Sequence, residues 1–142
     1  MYILSACAML LLICYSGPEV ELIDEINKYR LEQGITPLAI NWEAARLARY
    51  KAEEMRLLDF FSHDSAVYGE TGDMLVRFGI LFSEAGVNIA MGQENVGEVV
   101  SAWFGSAGHR ENLLNAAFTS AGAGISYDGD IAYWTLILLS PP

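Results

Sequence analysis

The sequence predicts an α+β fold in which a mainly antiparallel sheet lies between layers of helices. Most of the chain carries helical periodicity, with apolar residues three or four positions apart. The end of the chain instead predicts a β-hairpin, whose last strand, residues 132–139, is apolar almost throughout. Because a strand with one exposed face alternates between apolar and polar residues, both faces of this strand are expected to be covered.

Two long helices begin the predicted domain. The first spans residues 19–33 and ends before Gly34 and Pro37. Its apolar side chains recur every third residue, at Val20, Ile23, Ile26 and Tyr29. The second spans residues 42–58, and Asn41 is a suitable N-cap for it. Small side chains on one face of the second helix permit close packing.

Three shorter helices and the hairpin follow. One helix is predicted over residues 73–78, before Gly79. Asn95 and Glu98 have the spacing of a capping box ahead of an apolar helical stripe. Ser106 is a candidate cap for the last helix, which carries residues 109–115. The hairpin strands are residues 121–127 and 131–139, with Asp128-Gly129 supplying the positive φ angles of a tight turn.

The length and charge of the chain restrict its partners. A chain of 142 residues fits one domain, predicted to span residues 17–142. Eighteen acidic residues against eight basic ones give a net charge of -10, which repels phosphate backbones and anionic membrane surfaces. Nucleic acid is therefore not expected as a partner, and the domain is expected to be a monomer.

The apolar run at residues 2–15 is too short for the roughly 20 residues that a membrane-spanning helix needs. Small residues at Cys14 and Ser16, before Gly17, suit the cleavage site of a signal peptide spanning residues 1–16. This interpretation predicts an extracellular or cell-envelope protein. The alternative is a strand or helix packed on the domain.

Both cysteines, Cys7 and Cys14, lie inside this apolar run. A helix would separate their Cα atoms by about 10 Å, which is beyond the reach of a disulfide. Cleavage of the segment would leave a mature chain without cysteine.

The chain contains two histidines, His63 and His109, both at predicted junctions between a loop and a helix. Two imidazoles supply half of a closed zinc site, so no cofactor is expected and zinc is kept as an alternative. His109 lies near a helix start, where the positive end of the helix dipole favours a neutral ring. The simpler interpretation is a pair kept for packing or hydrogen bonding.

Serine nucleophiles are disfavoured. Ser62, His63 and Asp64 are adjacent in one loop and cannot align as nucleophile, base and orienting acid. Ser106 could approach His109, but helix capping explains this serine more simply. No catalytic residue is therefore predicted.

Several short motifs occur in order over residues 22–139. They are Ile26-Asn27-Lys28-Tyr29-Arg30, Pro37-Leu38, Phe61-Ser62-His63, Gly86-Val87-Asn88-Ile89-Ala90, Trp103, Ser106-Ala107-Gly108-His109, Asn112-Leu113-Leu114-Asn115, Gly122-Ala123-Gly124 and Tyr133-Trp134-Thr135. In this order they resemble the CAP family of cysteine-rich secretory, antigen 5 and pathogenesis-related proteins, and most closely its short bacterial branch. The resemblance implies a three-layer α-β-α sandwich.

The resemblance also implies a site. Many family members line a central cavity with two histidines and two carboxylates, and His63 and His109 match the histidine positions. Val87 stands where the family has one glutamate, and residues 104–107 offer no acid for the second. The implied cavity comprises His63, Val87, Asn88 and His109, with the two histidines as a weak or vestigial metal pair.

Leu136 stands where the family has a glutamine, so apolar groups replace polar ones around the same site. The sequence therefore predicts a secreted, non-enzymatic binding or interaction module, whose partner is an unknown protein, cell-wall or apolar ligand. One alternative is a metal-dependent hydrolase centred on His63 and His109, and another is a carrier of lipid or sterol. Large apolar residues are expected in the core: Trp42, Met91, Trp103, Phe104 and Trp134.

Overall fold

The computed structural model describes residues 17–142, which form five helices and one four-stranded sheet. The helices are α1 (Pro18–Glu32), α2 (Trp42–Leu57), α3 (Thr71–Arg77), α4 (Val96–Phe104) and α5 (Ala107–Leu114). The strands are β1 (Ala39–Ile40), β2 (Ala85–Met91), β3 (Ser120–Asp128) and β4 (Ile131–Leu139).

The strands lie in the order β1-β3-β4-β2. β4 pairs with β3 and with β2 in antiparallel fashion, and the two-residue β1 pairs with the start of β3 in parallel. β4 is thus a central strand, and every residue after Ile131 in it is buried. This confirms the prediction that both of its faces are covered.

Helices cover both faces of the sheet. On one face, α1, α4 and α5 share a core with alternate residues of β3 and β4, among them Leu136. On the other face, α2 and α3 pack against Ile137 and Leu139. Gly122 and Gly124 let α2 approach β3, because a Cβ on either would overlap main-chain atoms of that helix. The fold is the predicted α+β sandwich with a mostly antiparallel sheet.

Two of the three predicted helix caps form as hydrogen bonds. The side chain of Asn41 accepts a bond from Ala44 N at 3.0 Å, and that of Asn95 accepts one from Glu98 N at 2.9 Å. The reciprocal bond of the predicted capping box is shifted by one residue, because the side chain of Glu98 accepts a hydrogen bond from Glu94 N rather than from Asn95 N. Ser106 is at the N-cap of α5, but its side chain makes no capping bond. The capping role predicted for it is therefore wrong.

The hairpin turn differs by one residue from the prediction. Asp128 pairs with Ile131 as the last residue of β3, so the turn consists of Gly129 and Asp130. Gly129 supplies the positive φ angle, at 57°. Strands β1 and β2 were not predicted from the sequence. Trp42 and Met91, predicted in the core, are instead 42% and 45% exposed, whereas Trp103 and Trp134 are buried as predicted.

The predicted signal peptide and both cysteines lie outside the described residues. Within residues 17–142, no helix is both long and apolar enough to cross a membrane.

Candidate functional site

The structure brings the two histidines together at the β2 edge of the sheet. His63 lies in the loop after α2, and His109 is in the first turn of α5. Their ring centroids are 5.9 Å apart and their planes differ by 26°, which is a stacked arrangement. The convergence expected from the sequence is therefore confirmed, while a role for the pair in binding stays a prediction.

The two rings differ in environment. His63 is exposed and His109 is half-buried. Burial lowers the pKa of His109 below its ordinary value of 6.5, and the nearby His63 lowers it further. His109 is consequently neutral at neutral pH, as its helical position predicts, and a neutral imidazole can accept a hydrogen bond or bind a metal.

A buried polar cluster holds the loop that carries His63. The carboxylate of Glu54 accepts bonds from Ser65 Oγ, at 2.8 and 3.1 Å, and from Ala66 N. Lys51 Nζ donates to Asp64 O at 2.7 Å and lies 4.7 Å from the centroid of the Phe60 ring. Lys51, Glu54 and Ser65 are all buried, so the loop is fixed on both sides of His63.

This cluster was not predicted from the sequence. Lys51, Glu53 and Glu54 lie close together in a helix, a pattern typical of a solvated face. The neighbouring small residues Ala48 and Ala52 could have indicated that this part of α2 is buried, because their side chains pack in the core on this face of the sheet.

A second network holds His109. The side chain of Asn88, which is fully buried, donates to His109 O at 3.1 Å and accepts from Asn112 Nδ2 at 2.9 Å. Trp103 Nε1 donates to Ile89 O at 2.9 Å, and the indole ring lies 6.4 Å from the His109 ring. Edge strand β2 is thus tied to both α4 and α5 beside the imidazole.

Arg30 holds the other end of α5. Its guanidinium is fully buried and donates to four main-chain carbonyls, at 2.8 to 3.1 Å. The acceptors are Thr36, Leu113, Asn115 and Phe118. Three of these lie at or after the end of α5, where carbonyls lack helical partners and attract positive charge.

Val87 lies on the opposite face of β2 from Asn88, because successive side chains of a strand alternate. Val87 is half-buried and packs with the apolar group under α2 that contains Met55 and Phe60. Of the four residues expected to share a cavity, the histidines therefore meet, Asn88 binds the backbone of His109, and Val87 packs on the other side of the strand. Leu136 is fully buried and packs in the core beneath α1, α4 and α5.

A hollow of about 290 Å³ adjoins His109. It is lined by Phe61, Ile89, Ala90, Met91, Gln93, Ala102, Trp103, Ser106 and His109. Phe61 and Met91 form an exposed apolar rim. Gln93 Oε1 is inaccessible to water and accepts no hydrogen bond from residues 17–142. The hollow therefore combines apolar walls with a neutral imidazole.

The metal and nucleophile alternatives find limited support in this geometry. Zinc–nitrogen bonds of about 2.0–2.1 Å place two imidazoles on one ion with centroids roughly 5–6 Å apart. The histidine centroids are 5.9 Å apart, but stacked rings do not direct their in-plane nitrogen lone pairs at one point. Within residues 17–142, however, no group of three or more histidine, cysteine, aspartate or glutamate residues could hold an ion. Ser62 Oγ accepts from Asp64 N at 3.2 Å, so this serine is engaged within its own loop.

Comparison with protein families settles the kinship. The family model "Cysteine-rich secretory protein family", or CAP, matches residues 23–138. The chain belongs to the CAP family.

This domain is 42% identical over 120 residues to the uncharacterized protein YkwD of Bacillus subtilis, a match that covers 84% of this chain and 46% of YkwD. It is 33% identical over 117 residues to the uncharacterized membrane protein YlbC of the same organism, covering 82% of this chain and 33% of YlbC. The chain thus spans less than half the length of these relatives.

Solved structures share the CAP fold. An extracellular protein of Bacillus anthracis with an SCP domain superimposes with a TM-score of 0.81 at 31% identity, covering 99% of this chain and 45% of that one. An outer surface protein of Borrelia burgdorferi superimposes with a TM-score of 0.78 at 21% identity, covering 85% and 90% of the two chains. At that identity the second likeness concerns the fold alone.

Proposed function

We propose that this CAP domain is a secreted, non-enzymatic binding module that acts outside the cell or in its envelope. The observation that carries the proposal is the composition of the hollow beside His109, where apolar walls surround a neutral imidazole that can accept a hydrogen bond. This arrangement suits a ligand with an apolar part and a hydrogen-bond donor. The rigid supports of both histidine segments favour binding without rearrangement.

Two observations support the proposed location. The similar Bacillus anthracis protein is extracellular. The apolar run at residues 2–15 has the length of a signal-peptide core. The proposed partner is an unknown protein, a cell-wall fragment or an apolar ligand.

A binding assay with cell-wall fragments and lipid extract tests the proposal. The double variant Phe61→Ala with His109→Ala removes one wall and the imidazole of the hollow. Phe78→Ala, which removes a similarly exposed aromatic elsewhere, is the matched control. We expect the double variant to lose at least tenfold in affinity for whichever fraction binds, and the control to lose less than twofold. Equal binding by all three proteins would contradict a role for the hollow.

The hydrolase alternative is favoured by one observation, the 5.9 Å separation of the two imidazole centroids, which lies in the range for two ligands of one zinc ion. Titration with ZnCl₂, followed by assays on fluorogenic ester and peptide substrates, separates it from the proposal. We expect no turnover above that of His109→Ala. Turnover that requires both His63 and His109 would replace the binding proposal with the enzymatic one.

A further inference from the structure

The outward side of α2 presents charged and apolar side chains in one stripe. The members of the stripe recur every three or four positions along the helix, and they are Arg46, Tyr50, Glu53 and Leu57. This spacing places them on one side of the helix. Tyr50 is half-buried and the other three are exposed, while the opposite side of α2 packs against the sheet. The stripe is therefore accessible to another molecule.

The charges of the stripe are ordered along the helix. Arg46 pairs with Glu43 at 3.6 Å, and Arg56 pairs with Glu53 at 3.5 Å, so in each pair the acid precedes the base. A second α2 running in the opposite direction reverses this order. When the two-fold axis lies midway between positions 46 and 53, Arg46 of each helix lies opposite Glu53 of the other. The stripe is thus complementary in charge to an antiparallel copy of itself.

The net charge of α2 differs from that of the rest of the chain. The helix holds four of the eight basic residues and only three of the eighteen acidic ones, which gives it a net charge of +1. The remaining four basic and fifteen acidic residues give the rest of the chain a net charge of -11. Among the helices within residues 17–142, α2 alone has a positive net charge. A second copy of this acidic chain therefore meets least repulsion at α2.

Apolar side chains extend the contact surface on one side of the stripe. Tyr50 separates a hollow of about 390 Å³, lined also by Phe78, from a hollow of about 230 Å³, lined also by Val67. Leu47 lines the first hollow and Glu54 the second, and two helical turns separate these residues, so both hollows lie on the same side of the stripe. In an antiparallel copy each hollow lies opposite the other hollow of the second chain. Exposed apolar side chains then add to the ion pairs, which contribute little by themselves.

We propose that a second copy of this chain binds the outward side of α2, with the two α2 helices antiparallel about a two-fold axis near Tyr50. Arg46 of each copy binds Glu53 of the other, and Leu57 of each copy packs near Trp42 of the other. This dimer replaces the monomer expected from the sequence. The residues that line the hollow beside His109 lie outside this surface, so the proposal is independent of the proposed function.

Sedimentation equilibrium of the full chain, up to millimolar protein, tests the proposal. Arg46→Glu and Glu53→Arg each place like charges opposite one another at two symmetric positions, so each should weaken self-association at least tenfold. Glu53→Arg also reduces the net charge from -10 to -8, so nonspecific repulsion alone predicts stronger association for this variant. Lys28→Glu is the matched control for Arg46→Glu, because it makes the same change in charge at an exposed i,i+3 pair of α1. It should weaken self-association less than threefold.

A mixture of the two variants separates an effect on the contact from an effect on folding. In Arg46→Glu both positions 46 and 53 are acidic, and in Glu53→Arg both are basic. Every contact between the two different chains therefore joins opposite charges again. We expect the equimolar mixture to form a heterodimer at least tenfold tighter than the homodimer of either variant.

Three results would overturn the proposal. The first is a native chain that stays monomeric up to millimolar concentration. The second is self-association that Arg46→Glu and Lys28→Glu weaken equally, since it would mean that total charge or another surface controls the contact. The third is an equimolar mixture of Arg46→Glu and Glu53→Arg that associates no better than the separate variants.

Discussion

At the scale of single residues, the family resemblance implies a carboxylate at the position of Val87. Its half-buried side chain packs near Met55 and Phe60, on the face of β2 opposite Asn88. Phe60 is close in sequence to His63, so an acid at position 87 would enter the apolar surroundings of the histidine loop. At this position the chain therefore offers a hydrocarbon contact instead of the oxygen ligand that the resemblance implies.

Val87→Glu should raise the affinity for zinc at least tenfold, because it adds a third ligand to two imidazoles. Without metal the variant should lose about 2 kcal/mol of stability, since a partly buried carboxylate is desolvated without a partner. Zinc should restore that stability, because it binds the native state. Calorimetric titration and denaturant unfolding measure both effects.

Val87→Gln is the control of matched size, and it should cost stability without the gain in zinc affinity. Adding His109→Ala to Val87→Glu should remove the gain. Submicromolar zinc binding by the native sequence, or an unchanged affinity in Val87→Glu, would show that Val87 is not the lost ligand.

The pKa of His109 carries a second prediction at this scale. Burial lowers it first and the charge of His63 second, so the folded chain binds fewer protons than the unfolded chain between the lowered pKa and 6.5. The contribution of His109 to the stability of the fold is therefore fully present above pH 6.5, and it is lost as the pH falls from 6.5 to the lowered pKa.

His63→Gln should raise the pKa of His109 only part of the way to 6.5, because burial remains. NMR titration of the ring protons measures it, and an unchanged or lower pKa would contradict the coupling.

At the scale of elements, the position of α5 depends on one side chain from α1. Arg30 donates to four main-chain carbonyls, and three of them lie at or after the end of α5. Since α5 carries His109, the packing of α1 reaches the candidate site through this guanidinium. The resemblance identified the motif that contains Arg30, but it gave no reason for the arginine.

Arg30→Ala should destabilise the domain by about 3 kcal/mol or more, because it leaves several buried carbonyls without donors. Arg30→Lys should recover only part of this loss, since an ammonium cannot match the planar fork of donors. Arg110→Ala is the control, because Arg110 is exposed and donates to a single carbonyl at 3.3 Å. Urea unfolding gives the differences, and equal losses in Arg30→Ala and Arg110→Ala would contradict the anchoring role.

The helices were predictable because their apolar periodicity is a local property of the sequence. β1 was not, because two residues carry no period and exist as a strand only by pairing with β3. β2 was missed because Gly86 and Asn88 weaken its strand pattern, while its partners β4, α4 and α5 are distant in sequence. Likewise, the histidine pair could be predicted from the family resemblance, whereas the Lys51–Glu54 cluster depends on how the loop folds back over α2.

At the scale of the whole molecule, the excess of carboxylates dominates the electrostatics. Four ion pairs are described within residues 17–142, and in each at least one partner is solvent-exposed. Such pairs contribute about 0–1 kcal/mol each. The remaining negative charge repels itself across the compact fold, and this repulsion is what salt screens most.

Raising NaCl from about 0.01 M to 0.15 M, over which the Debye length falls from about 30 to 8 Å, should therefore stabilise the domain. We expect a gain of about 1 kcal/mol, which corresponds to a rise in Tm of roughly 4 °C for a domain of this size.

The triple variant Glu21→Lys, Glu32→Lys and Glu94→Lys alters three exposed acids and changes the net charge from -10 to -4. Its Tm should be higher at low salt and should rise less with NaCl. A Tm that falls with salt in the native chain, or an equal rise in both proteins, would mean that specific ion pairs rather than net repulsion control the stability.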